Sequence, residues 1–147
     1  MKPYLAAIAV SAALLGASIS ASAQDARPYA NGPVWDVSAI QTKDGHFDEY
    51  MKYLSTGWKA QQDALKAKGV VLDYKVLSVA DPRDNEPDLY LMVEYKNMAA
   101  FDATPDDLDA LSKKVFGSVA AANQGVVDRG AIRTQRGDML TRELILK

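Results

Sequence analysis

Between Val34 and Lys147 the apolar positions switch repeatedly between a spacing of two and a spacing of three to four. "VWDVSAIQ", residues 34–41, alternates and predicts a strand, with Val34, Asp36, Ser38 and Ile40 on one face and Trp35, Val37 and Ala39 on the other. After the turn signal "KDG" the period becomes helical: Phe47, Tyr50, Met51, Leu54, Trp58 and Leu65 fall on one stripe. Asp48 and Glu49 suit the positive end of that helix, Lys66 and Lys68 the negative end, and Gly69 the left-handed cap beyond it. Gly57, in mid-helix, costs about 1 kcal/mol against Ala and marks a close approach.

"VVLDYKVLSVA" at 70–80 and "DLYLMVEYK" at 88–96 predict two more strands, joined by the loop chemistry of "DPRDNEP". Leu89, Leu91, Val93 and Tyr95 form the greasier face of the third strand. Asn97 caps a short turn through Phe101. Thr104 as N-cap, Pro105 at the first helical position and Asp106 and Asp107 behind it open a second helix. Leu108, Leu111, Val115, Val119, Ala122 and Val126 carry its stripe, and Gly130 is read as its end. "DMLTRELILK", 138–147, reads as a closing strand.

The order strand, helix, strand, strand, helix, strand predicts an α+β fold of the ferredoxin-like βαββαβ type. Its four-stranded antiparallel sheet carries two helices on one face. The abrupt change at Asn97 is the handover from third strand to second crossover helix.

The N-terminus stands apart from this pattern. Lys2, the apolar run "YLAAIAVSAALLG" and the small residues of "ASA" at 21–23 predict a signal peptide, 1–23, cleaved after Ala23. Its serines and abundant alanine make it too weakly apolar for a stable membrane span, and no membrane role is expected after cleavage. The polar 24–32 reads as a flexible lead-in and 33–147 as the domain, placed in the periplasm or secreted. Without Lys2, the remainder carries 16 basic and 19 acidic side chains, a balance that argues against nucleic acid as a partner. Having no cysteine, the chain relies on packing rather than disulfides.

Two helices cover one side of a sheet, so the other side is left over. The residues assigned to it are Asp36 and Ser38, then Val71, Asp73, Lys75, Leu77 and Val79, then Tyr90, Met92 and Glu94. That half-apolar surface predicts a homodimer made through the sheet faces. The strand order, the "LYLMVEYKNMAAFD" junction and the closing "RELILK" resemble the dimeric α/β-barrel superfamily over about residues 33–147. That superfamily includes antibiotic-biosynthesis-type monooxygenases, stress-responsive barrel domains and many secreted bacterial proteins. The resemblance implies two sheets closed around a cavity, and it transfers an architecture rather than an activity.

Trp35, Asp36, Tyr74, Tyr90 and Glu94 are the candidate ligand-binding residues of such a cavity, suited to a small apolar or aromatic molecule. Tyr50 and Trp58, on the helix stripe, read as core. Asp36, Asp73 and Glu94 are weighed as acid/base machinery against cross-strand pairing with Lys75 and solvation, and the latter is favoured. His46, the only histidine, reads as a solvated helix-start residue, because a metal site needs several converging ligands. With no histidine elsewhere, haem degradation, an activity of some superfamily members, is not expected. The acids at Asp81, Asp84, Glu86 and Asp88 lack calcium-loop spacing. No catalytic motif, metal or cofactor is assigned. The expectation is an exported homodimeric ligand-binding domain. A cofactor-free monooxygenase- or isomerase-like enzyme and a purely structural module remain as alternatives.

Overall fold

The computed structural model describes residues 27–147; the expected leader and its cleavage site lie outside the described residues. Strand β1 (Tyr29–Thr42) leads through a turn at Gly45, whose φ of 79° needs glycine, into the first crossover. That crossover is one helical run: α1 (Phe47–Tyr53), a π-helical turn (Leu54–Trp58) and α2 (Lys59–Ala67). It ends as its sequence dictates. Gly69 takes φ 71° and donates to the Lys66 carbonyl, while the Val70 amide closes on Leu65 at 3.1 Å. Strands β2 (Val71–Ser78) and β3 (Leu89–Tyr95) follow. After β3 come a 3₁₀ turn (Met98–Phe101), α3 (Pro105–Phe116), α4 (Val119–Ile132) and β4 (Arg133–Leu146).

The sheet is antiparallel in the order β2-β3-β1-β4, so β3 sits between the two strands joined by the first crossover. This is the α+β, ferredoxin-like arrangement that the pattern predicts. Ile40, Leu89 and Leu91 from the sheet meet Tyr50 and Leu54 from the first helical run, with Met51, Tyr53, Trp58, Val76 and Ile132 packed around them. Each large side chain so buried contributes roughly 1.5–3 kcal/mol. Among the described residues, no helix is long and apolar enough to cross a membrane.

Three features differ from the sequence reading. Strand β1 starts at Tyr29, inside the segment read as lead-in, and β4 starts at Arg133, five residues early. The two strands extend one another: Tyr29 to Asn31 pair with Leu146 to Leu144, and a bulge absorbs Gly32 and Pro33. Turn-forming residues thus become strand because a partner strand satisfies their backbone.

The second helix is broken in two. Gly117 takes φ 84° and Ser118 caps α4 by accepting from the Ala121 amide at 3.0 Å. Gly130 does not end the helix, which runs two residues further.

The third difference concerns the faces. Cross-strand partners share a side, so Asp36, opposite Val93, and Ser38, opposite Leu91, lie on the helix side, not the open one. Val71 is 1% exposed there too, because a bulge at Leu72 shifts its alternation. The open face instead takes Trp35, Val37 and Ala39 from β1, together with Asp73, Lys75, Leu77, Tyr90, Met92 and Glu94, which were expected there.

Candidate functional site

The open sheet face is built around Val37, which stands between Met92 of β3 and Met139 of β4. Ala39 and Tyr90 pair beside it, and Leu77 pairs with Tyr90 from the far side. These residues form an apolar centre in which Val37 itself is buried, at 8% exposure, while Leu77 and Met139 are 47% and 53% exposed. One end of the face is polar. Trp35 lies between Glu94 and Thr141, and its Nε1 donates to Glu143 Oε2 at 3.4 Å. Lys75 Nζ stands 4.9 Å from the Trp35 ring centroid, a cation–π contact. An aromatic platform with a cation above it and two carboxylates beside it therefore borders an apolar floor.

Of the five candidate residues, the fold brings Trp35, Tyr90 and Glu94 to this one face. It sends Asp36 and Tyr74 to the other. Tyr74 meets Trp58 edge-on at 5.3 Å, and its hydroxyl donates to Asp63 at 2.6 Å, where Lys59 completes a small network. The Asp63 hydrogen bond raises the Tyr74 pKa, and bonds from Lys59 and then Tyr74 hold Asp63 below the usual carboxylate range. Asp36 faces the helix side near Tyr95. Its pKa is raised first by burial and then by the Asp138 carboxylate. Burial, with Asp36 adding, likewise raises Tyr95.

The acid/base reading does not assemble. Asp36 is behind the sheet, and Asp73 is ion-paired with Lys66 at 3.0 Å rather than with Lys75, which lowers its pKa. Asp73 does stand directly opposite Glu94 across β2 and β3, but its carboxylate is taken up by Lys66. His46 Nδ1 lies 2.8 Å from Glu49 at the start of α1, the helix-start position expected of it. In the acidic loop, Glu86 pairs with Arg83 at 2.5 Å, while Asp88 accepts from the Thr42 amide at 3.0 Å and from its hydroxyl. Asp88 thereby fastens the loop to the end of β1. Among the described residues, no three potential metal ligands converge.

A second concavity lies on the helix side and was not read from the sequence. An open cleft of about 600 Å³ runs between α2, the 3₁₀ turn and α3. Leu65, Val70, Tyr95, Phe101, Leu108 and Leu111 make its apolar walls, and Lys68 and Asp107 stand at its polar rim. Its size and lining are those of small-molecule clefts. Asn97 builds it locally: its Oδ1 accepts from the Ala99 amide at 3.0 Å, starting the turn that lays Phe101 4.9 Å from Tyr95. Thr104 then fixes α3 through a capping box with Asp107, whose pKa that bonding lowers. The Asn97 cap and Phe101 were visible in the sequence; that Leu65 and Leu108 would face them was not.

The helix side holds a further cluster that the sequence reading missed. The Arg129 guanidinium stacks 4.2 Å from the Tyr53 ring and Arg133 lies 6.0 Å from Tyr50. Burial raises both tyrosine pKa values against the lowering effect of the arginines.

No protein-family model and no curated protein sequence matches the chain. Among solved structures, the crystal structure of HapK from Hahella chejuensis is similar, with a TM-score of 0.51 at 12% identity, covering 75% of this chain and 91% of that one. Likeness at that identity is one of fold, and it agrees with the ferredoxin-like topology traced above.

Proposed function

We propose that this chain is an exported homodimeric domain of the dimeric α/β-barrel kind. In this reading its open sheet faces a second copy and encloses a chamber for a small apolar or aromatic molecule. The observation that carries the reading is the apolar surface that Leu77, Met92 and Met139 leave partly exposed around the buried Val37, beside the Trp35–Lys75–Glu94 end. Water is a poor cover for the first, and the second offers stacking and charge to a ligand. Trp35, Tyr90 and Glu94 line the chamber; Asp36 and Tyr74 do not. Of the carboxylates on this face, Asp73 is held below the usual range by its bond to Lys66, which suits a charged binding group better than a general acid, so binding is favoured over catalysis by a cofactor-free enzyme.

Light scattering on the protein purified from its host tests the dimer, and native mass spectrometry of the same sample tests the ligand. The expected result is a dimer that releases a small molecule on denaturation. Met92→Arg, which puts a charge at the centre of the face, is expected to shift it to monomer with unchanged circular dichroism. A monomeric wild-type protein overturns the reading. The intact mass of the purified chain is expected to correspond to a start at Gln24, as export requires.

The helix-side cleft supports a second reading. Its walls come from one chain, so it offers a ligand site that needs no dimer. Loss of bound ligand in Leu108→Arg, with retention in Trp35→Ala, favours the cleft over the chamber.

A further inference from the structure

The two edges of the sheet are treated very differently by the sequence. Strand β2, at one edge, is eight residues long and carries a bulge at Leu72. Side chains of α2 wrap it, through Lys66 to Asp73 and Asp63 to Tyr74. Short length, bulges and charged cover are how edge strands avoid pairing. Strand β4, at the other edge, is not short, and beyond the bulge near Arg136 its guard is the charge of Arg133, Arg136, Asp138, Arg142 and Glu143. It is fourteen residues long, without proline, and only Arg133 within it is even partly buried. Met139 and Ile145 on one face and Leu140 and Leu144 on the other are each about half exposed. An edge that is long and partly apolar on both faces is a surface for pairing where a partner matches its charges.

The charges along β4 say with what. An antiparallel pairing of β4 with its own copy has a two-fold axis perpendicular to the sheet, which keeps both sets of helices on one side. Directly opposed residues must then have the same parity in the regular stretch 137–143. Centring the axis on Leu140 sets Asp138 opposite the copy's Arg142 and Arg142 opposite the copy's Asp138, with Leu140 meeting Leu140. The neighbouring even registers set Asp138 opposite Leu140 or Leu144 instead and pair no charge with it. Within one chain Asp138 lies near the like-charged Asp36 and raises its pKa, whereas the Arg142 side chain makes no hydrogen bond or ion pair among the described residues. Asp138 accepts from Gln135 Nε2 within its own chain, but neither it nor Arg142 has a partner of opposite charge there among the described residues, and the copy supplies one to each.

We infer that β4 is the seam of the homodimer: two copies pair their β4 strands antiparallel about Leu140, matching Asp138 with Arg142 twice and extending the sheet to eight strands. This rests on the homodimer reading and adds how its halves are joined. Eight twisted strands tend to coil, and coiling toward the open side brings the two Val37–Met92 surfaces around a common chamber.

The test uses the natural absence of cysteine. Residues facing themselves across an antiparallel pair have Cα atoms about 4.5–5.5 Å apart, within disulfide range. Leu140→Cys, oxidised mildly, is expected to give mainly covalent dimer, while Leu144→Cys, which in this register faces Arg136, is not. Independently, Asp138→Arg or Arg142→Asp is expected to weaken dimerisation about tenfold by opposing like charges twice, and the double exchange to restore it. Circular dichroism checks that each variant folds. A wild-type dimer with no Leu140→Cys crosslink and no rescue by the double exchange overturns the seam and leaves the homodimer standing. A monomeric wild type overturns both.

Discussion

Asp36 stands opposite Val93 on one side and Leu140 on the other, a carboxylate among apolar neighbours with Asp138 and Tyr95 the titratable groups facing it. Burial first, and Asp138 second, raise its pKa above 3.8. A raised carboxyl pKa means that the folded chain holds the proton more tightly than the unfolded one. The contribution is therefore fully present below the ordinary carboxylate range and is lost as pH rises through the raised value. Asp36→Asn, which cannot ionise, is expected to melt a few degrees above wild type at pH 7 and level with it near pH 3. Melting curves at both values check this; a less stable variant at neutral pH would show that the charge is wanted where it stands.

At the level of elements, two glycines of the second crossover carry opposite expectations. Gly117 holds the left-handed bend that separates α3 from α4, so Gly117→Ala is expected to cost about 1 kcal/mol. Gly130 lies inside α4 with no positive φ and with open space where an alanine methyl group would stand, so Gly130→Ala is expected to gain about 0.5–1 kcal/mol. Urea midpoints of the two variants should move in opposite directions from wild type. Gly57 behaves like neither: a Cβ there would come within 3.1 Å of Tyr53 and 3.2 Å of Phe116, the close approach that its mid-helix position announces. The π-helical turn around it is supported by the Ser55 and Thr56 hydroxyls, which both donate to the Lys52 carbonyl, at 2.9 and 2.8 Å.

For the molecule as a whole, stability and assembly are linked if the copies meet as proposed. Anything that binds the folded state and not the unfolded one raises apparent stability by mass action. The melting temperature of wild type should rise with protein concentration, and that dependence should vanish in Met92→Arg. A wild-type melting temperature unchanged over a hundredfold dilution in the micromolar range, about where folded dimers of modest affinity dissociate, would count against a second copy.

Local periodicity and end signals were enough to place the first helical run, β2, β3 and the Asn97 and Thr104 caps, because those elements are set by interactions a few residues long. Of the five candidate residues, Tyr90 and Glu94 reached the expected face because simple alternation holds in the middle of β3, and Trp35 joined them only through the pairing of β1. What alternation leaves undetermined is which side of a strand the helices choose, since Val34, Asp36, Ser38 and Ile40 look no more buried in sequence than Trp35, Val37 and Ala39. Pairing with Leu89, Leu91 and Val93 decided it and turned Asp36 inward. Pairing also drew Tyr29 to Asn31 into strand and made β4 long, since a backbone's hydrogen bonds depend on what lies alongside it rather than on its own side chains.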